Sequence, residues 1–325
     1  MDSEFSAKNI ETIILKNYGE YLDLFMPFQS EFFSGLYNRY QSIENGNLVL
    51  FFAKKVHQNI LRQKDYNLNF NVSFEKFWEN HSLVEVQRNS IISISKELSI
   101  PKETTRRRIL ELMQQKILNK KNKSIGWAPN EQYKKSYNIF VQKEINDLTK
   151  LITFICKKIN LFITSEELKK EIEEKFSFYW YHYLGIQLKY LKIWGRQFKD
   201  IELAFIFMQV VAIFADKIKN NELSHKLLWG SPSVIKNFER ISISATSVAE
   251  ITGIPRATCV RKLEILTNLK MILQDKISKR YYLSSEVLLS NVANKSTSAN
   301  IIKIYSEFYF IIVRALNSKL DSNKS

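Results

Sequence analysis

Apolar residues recur three and four positions apart along most of this chain, the spacing of helices with one buried face. Ile10, Ile13, Ile14 and Tyr18 mark an amphipathic helix over residues 1–18. Phe25 to Tyr40 is rich in aromatics, and Pro27 and Gly35 predict breaks in it. Leu48 to Val56 forms a strong helix that leads past Leu61 into a polar stretch, Gln63 to Asn71, expected as a loop. Phe74 to His81 predicts a short helix. The Leu48–Val56 pattern returns as Val210–Ile218 at an offset of 162, and at that offset Ser136–Phe140 and Ser298–Ile302 each open a long apolar helix. Between the halves, Thr164-Ser165-Glu166-Glu167 has the form of a capping box and starts a helix running through Glu171 and Phe176 toward Tyr183.

A second pattern occurs twice. Ile94 and Leu98 share one face of a short helix, Ser99 ends it, and Pro101 opens another helix in which Thr105, Ile109 and Leu112 share a face. Val248 and Thr252, Gly253, Pro255, and then Cys259, Leu263 and Leu266 repeat it at an offset of 154, the distance from Pro101 to Pro255. Gly253 suits a tight turn because it takes positive φ without a Cβ penalty. Thr105 and Cys259 are expected to face inward, Arg107 and Arg261 outward. The outward face of each second helix shows Lys102, Glu103, Arg106 and Arg107 in the first copy, and Arg256, Ala257, Val260 and Arg261 in the second. A helix packed on one side and basic over its first two turns on the other suits a DNA major groove.

After each motif the pattern changes to short alternating runs. Asn119–Lys121 and Ile125–Trp127 predict two strands around a turn at Asn122–Ser124; Leu273–Asp275 and Arg280–Leu283 predict two around Lys276–Lys279. Lys120, Lys121 and Lys123, and Lys276, Lys279 and Arg280, cluster at the tips, where they could meet phosphates. From Ser247 through Leu283 the second copy resembles the winged helix-turn-helix of bacterial regulators, most of all its IclR form. The first copy is similar to the variant with leucine one place later. Thr105 and Cys259 stand where such families often have valine, and Ser99 replaces the turn glycine. The resemblance implies DNA-binding modules with the second helix in the major groove, and Thr104 and Thr258 on phosphate or base. It does not reach the flanking helices.

Composition adds a net charge of +15, from 48 Lys and Arg against 33 Asp and Glu, which favours a polyanionic partner. Cys156 and Cys259 fall at apolar helical positions and read as free core thiols of a cytoplasmic protein. No signal peptide is visible at Met1–Phe5, and the 13-residue run Leu203–Ala215 is short of the ~18–20 needed to span a bilayer. The eight glycines form no G-x-G pair, His57, His81, His182 and His225 have no companions at metal spacing, and Glu166, Glu167, Glu171, Glu173 and Glu174 are expected to form a solvated acidic face. No catalytic residue, metal site or cofactor is expected, so the chain does not read as an enzyme. Phe176, Phe178, Tyr179, Trp180, Tyr181 and Tyr183, with Tyr190 and Trp194, read as core or dimer interface, with an effector pocket as the alternative.

The sequence therefore predicts a mainly α fold, a duplicated helical domain with a winged helix-turn-helix and small β wing in each copy. Residues 1–163 hold N-terminal helices, the first motif (90–128) and a closing helix; residues 164–317 hold the second motif (244–284) and its closing helix; 318–325 form a disordered tail. The expected function is sequence-specific binding of double-stranded DNA by a nucleoid-associated transcriptional regulator, alone or as a homodimer, with no membrane partner. The alternatives are a plasmid- or phage-type replication initiator and a winged-helix scaffold that binds protein.

Overall fold

The computed structural model describes residues 6–84, 89–121, 124–219, 241–283 and 292–322. The fold is mainly α-helical, with two small two-stranded antiparallel sheets among the described residues. The chain divides into two compact units, and neither is a continuous half of the sequence. Unit 1 comprises Met1–Ile13, Glu44–Lys192 and Lys303–Ser325; unit 2 comprises Ile14–Ile43 and Ile193–Ile302. Each of the ranges 1–163 and 164–317, expected to be separate repeats, contributes a segment to the unit built mainly from the other.

Unit 1 begins with most of α1 (Ala7–Lys16) and continues with α3 (Ile43–Tyr66), which carries a buried run from Leu48 to Ala53. The α3 helix extends to Tyr66, into the stretch expected as a loop, and α4 follows at Phe77–Leu83. Next come α5 (Ile91–Leu98), α6 (Lys102–Gln114) and the hairpin β1 (Leu118–Lys121) and β2 (Ser124–Trp127), with Leu118 opposite Trp127. Phe77, Trp127 and Tyr137 form an aromatic cluster that ties α4, the hairpin and α7 (Glu131–Lys158) together.

Thr164 caps α8 (Ser165–Glu174) through the expected box: its Oγ1 accepts from Glu167 N at 3.2 Å, and Glu167 Oε2 accepts from Thr164 N at 2.9 Å. The helix stops at Lys175 rather than running on, and α9 (Phe176–Phe198) begins there. Its aromatics are core: Phe176, Tyr179, Trp180, Tyr183 and Tyr190 are buried. Their polar ends are satisfied inside, Trp180 Nε1 on Tyr137 Oη at 3.0 Å and Tyr183 Oη on the buried Glu144 carboxylate. The last helix, α13 (Val292–Ser322), brings Tyr305 Oη to Gln187 Oε1 at 3.3 Å. It continues past residue 318, where a disordered tail was expected.

Unit 2 is built on α2 (Tyr18–Tyr40), which runs unbroken through Pro27 and Gly35. Proline removes one internal hydrogen bond, but Tyr21, Phe25, Phe28, Phe32 and Leu36 bury a continuous face three and four apart, and that burial decides the outcome. Phe33 of α2 stacks on Phe205 of α10 (Ile201–Lys219), ring centroids 5.0 Å apart, and Ser30 Oγ donates to Gln209 Oε1 at 2.9 Å. Against α10 pack α11 (Ala245–Thr252), α12 (Arg256–Asn268) and the hairpin β3 (Ile272–Gln274) and β4 (Tyr281–Leu283), with Ile272 opposite Leu283.

Candidate nucleic-acid interface

The two helix–turn–helix–hairpin segments, 90–127 in unit 1 and 244–283 in unit 2, are built by the same local chemistry. Ser90 and Ser244 open them as N-caps, accepting from Ser93 N at 3.1 Å and Ser247 N at 3.0 Å. Ser99 (φ 57°) and Gly253 (φ 73°) close the first helix in the left-handed region, Gly253 N bonding Ala249 O at 2.9 Å. Pro101 and Pro255 share φ −53° and stand one residue before the second helix, where a missing N–H costs no internal bond.

Thr105 and Cys259 are fully buried, as their spacing predicts. Thr105 Oγ1 donates to Pro101 O at 3.1 Å and reaches Ile100 O at 3.4 Å; Cys259 Sγ donates to Ile254 O at 3.4 Å. Valine could not make these bonds to the turn. Burial raises the Cys259 thiol's pKa and pushes that of Cys156 up to about 12.

The opposite faces are open to solvent. On α6, Lys102, Glu103, Arg106 and Arg107 are exposed and Thr104 is half-buried; on α12, Arg256, Ala257 and Arg261 are exposed, with Thr258 and Val260 half-buried. The two faces differ in charge organisation. Arg106 clasps Glu103 through Nε at 2.9 and 3.1 Å and Nη2 at 2.6 Å, and those bonds hold the Glu103 carboxyl below its ordinary pKa. Arg107 stands 3.9 Å from Glu111 with its side chain 64% exposed. Arg256 Nε donates to Thr246 Oγ1 at 3.1 Å, and Arg261 makes no ion pair among the described residues.

Lys120 is exposed on β1; the Lys121 side chain and Lys123 lie outside the described residues. At the second hairpin tip Lys276 and Lys279 are exposed, and Asp275 Oδ1 holds the turn by accepting from Ile277 N at 3.0 Å and Ser278 N at 2.5 Å. Arg280, expected to reach outward, turns back: its Nη2 donates to Ser242 O at 2.9 Å and its Nε to Ser242 Oγ at 3.2 Å. Periodicity passed over Ile277, an apolar side chain 94% exposed between the tip lysines.

It also passed over the ion pairs that hold each second helix. Arg108, beside buried Ile109, bonds Glu44 Oε2 at 2.5 Å and Glu111 Oε2 at 3.0 Å. Lys262, beside buried Leu263 and itself only 7% exposed, bonds Asp200 Oδ2 at 2.6 Å and Glu202 Oε2 at 3.3 Å. Glu44 and Glu202 are each the second residue of the helix beneath, α3 and α10. Burial opposes the Arg108 charge, and the Glu111 and Glu44 carboxylates more than offset it. The signal available in sequence was a basic residue at the same place in both motifs.

A second contact recurs. Ser34 Oγ of α2 donates to Ile251 O at 2.9 Å in unit 2, and Lys192 Nζ of α9 donates to Glu97 O at 3.1 Å in unit 1. Ile251 and Glu97 occupy the same place near the end of the first helix of their motifs, and Ser34 and Lys192 the same place on two 23-residue helices.

Among the described residues no cluster of His, Cys, Asp and Glu could hold a metal ion, and no helix is long and apolar enough to cross a membrane. No family model, curated protein or solved structure matches the chain.

Proposed function

We propose that the chain is a sequence-specific double-stranded DNA-binding protein, a transcriptional regulator that carries two winged helices, one in each unit. The observation that supports this most is the pair of second helices, each exposing arginine opposite a buried face and each locked to the helix beneath by a basic residue at the same place. Such a lock fixes the pitch of a helix that must enter a groove, while Arg107 and Arg261 remain on the outer face. The lysines at the hairpin tips add phosphate contacts.

The two faces read differently. Glu103 is engaged by Arg106, so the first helix offers a pre-arranged acid–base pair plus Arg107, while the second offers Arg261 beside the small apolar Ala257 and Val260. The target is therefore asymmetric, and a single chain reads both halves.

Fluorescence anisotropy with selected duplexes tests this. If about 6–10 phosphates are contacted, affinity falls roughly 10³–10⁵-fold between about 50 and 200 mM salt. Arg107→Ala and Arg261→Ala each cost about 1–3 kcal/mol of binding, and each relaxes preference in a different part of the site. No binding to any duplex at low salt ends the reading. A palindromic consensus in which both substitutions blur the same bases ends its asymmetric form.

A further inference from the structure

Unit 1 contains a cavity of about 430 Å³ bounded by α3, the end of α5, α9 and the later part of α13. Its apolar wall includes Leu98, Ile186 and Phe308, and its charged groups are the lysines Lys54, Lys189 and Lys192 with the carboxylates Glu97 and Glu307. The two carboxylates already have partners: Glu97 lies 3.5 Å from Lys55 Nζ, and Glu307 lies 3.7 Å from Lys189 Nζ. Lys192 Nζ is spent on Glu97 O.

The Lys54 ammonium is different. It lies 5.2 Å above the Tyr181 ring, and among the described residues it has no ion pair and no hydrogen bond. A cation so placed beside apolar walls is the feature that captures one carboxylate or sulfonate on a flat hydrophobic body. Burial lowers the pKa of Lys54, Glu97 raises it, and Lys55 and Lys189 lower it further; a bound anion would reverse that balance.

Two more observations separate this cavity from a packing defect. Gly185 opens it: a Cβ there would sit 3.5 Å from Lys54 Cε and 3.8 Å from Nζ, so any longer side chain would project into the space. The lining is also peculiar to unit 1. Tyr18–Tyr40 and Phe176–Phe198 are both 23 residues long, and alignment of their starts puts Tyr181, His182 and Gly185 opposite Asp23, Leu24 and Pro27. Alignment of α3 with α10 likewise puts Lys54 opposite Ala212. A by-product of repeated helix packing would recur with similar chemistry, and this set does not.

We propose that the cavity binds a small aromatic organic anion, its carboxylate on Lys54 and its ring among Tyr181, Ile186 and Phe308. The site adjoins Glu97 and Leu98, the last turn of α5, where Lys192 of α9 anchors the first motif. Occupancy therefore acts on the placement of α6. This coupling rests on the DNA-binding reading, while the binding itself does not.

Isothermal titration of the full chain with 1-naphthoate, and with 1-naphthamide as its uncharged counterpart, tests the site. Naphthoate is expected to bind at one equivalent and about tenfold tighter than the amide, the scale of one charge-assisted contact. Lys54→Met should remove that difference and leave amide binding unchanged, and Gly185→Leu should abolish both, with cooperative melting checked for each variant. Naphthoate that does not bind at millimolar concentration, or that binds Lys54→Met as well as the wild type, overturns the proposal. Adding naphthoate to the anisotropy assay should change DNA affinity in the wild type at a concentration about tenfold lower than in Lys54→Met. A chain that binds naphthoate but no DNA keeps the site and loses the regulator reading.

Discussion

His57 carries no charge and little freedom. It is fully buried, stacked on Phe77 at 4.7 Å and edge-on to Phe176, and among the described residues neither ring nitrogen has a hydrogen-bond partner. Burial, and to a lesser degree the nearby His81, pulls its pKa from 6.5 to about 3. His81 is drawn down to about 4 by burial, against the bond that its Nε2 donates to Trp127 O (3.0 Å), which raises it, and with Lys134 lowering it further. Both folded-state values lie below the unfolded one, so the unfolded chain takes up these protons first. The contribution of the pair to stability is whole above about pH 6.5, declines as pH falls below that, and is gone once pH has passed about 4 for His81 and about 3 for His57. His57→Leu keeps an apolar group between the rings and removes an unsatisfied polar edge. It is expected to change stability at pH 7 by no more than about 1 kcal/mol, and to flatten the acid limb. Urea titrations at pH 7 and pH 5 should then show a smaller loss for the variant than for the wild type. Equal losses would mean that His57 has a partner in solution and titrates near its ordinary value.

At the scale of the element, the two turns set a pair of opposite expectations. Ser99 and Gly253 close equivalent helices with φ of 57° and 73°, a region that costs a residue with a Cβ about 1–2 kcal/mol. Ser99→Gly should therefore stabilise by about 0.5–1 kcal/mol, after allowance for the extra freedom glycine has when unfolded. Gly253→Ala should destabilise by about 1–2 kcal/mol, because its Cβ would also press on Asn38 Oδ1, an exposed amide that can swing aside. Thermal unfolding of the two variants checks the signs, and a Ser99→Gly loss as large as that of Gly253→Ala would remove the left-handed strain as their shared cause. These turns were legible because glycine, proline and the spacing of Thr105, Ile109 and Leu112 are local signals. So were both hairpins and the Thr164 cap. The continuity of α2 was not, since Pro27 is a local signal against it and the aromatic face that overrides it is tertiary. The alignment of the supporting helices was not fixed either. The apolar pattern placed Ala53 opposite Ala215, an offset of 162, whereas the helix starts and the Glu44 and Glu202 ion pairs give 158. Four residues rotate a helix by only about 40° beyond a full turn, so its buried face looks the same either way. The ion pairs and the Lys54 cavity were invisible for a related reason: each joins residues brought together only by packing.

At the scale of the whole molecule, the units exchange helices that sequence order assigns elsewhere. The α2 helix precedes the first motif but belongs to unit 2, where it supplies Phe33 against Phe205 and Ser34 to Ile251 O. The α9 helix leads into the second motif, but most of it belongs to unit 1, where Trp180, Tyr183 and Tyr190 are core and Lys192 anchors α5. Nothing in an amphipathic pattern names the partner of its apolar face, so this exchange could not be read from periodicity. It has a consequence that a pair of contiguous domains would not have. Cut between residues 163 and 164, the first piece lacks α9 and the later part of α13, and the second lacks α2. Each large apolar side chain left exposed costs about 1.5–3 kcal/mol, and several are lost from each piece against a domain stability of about 5–15 kcal/mol. Neither 1–163 nor 164–325 should therefore give a cooperative thermal transition alone. Mixed or produced together, the pieces should recover the circular dichroism of the intact chain, because every unit then has all of its helices. The same mixture should recover duplex binding if the proposed function holds. A sharp, independent melting transition from either piece would show that it completes a core without the exchanged helix, and that the interleaving is dispensable to its fold.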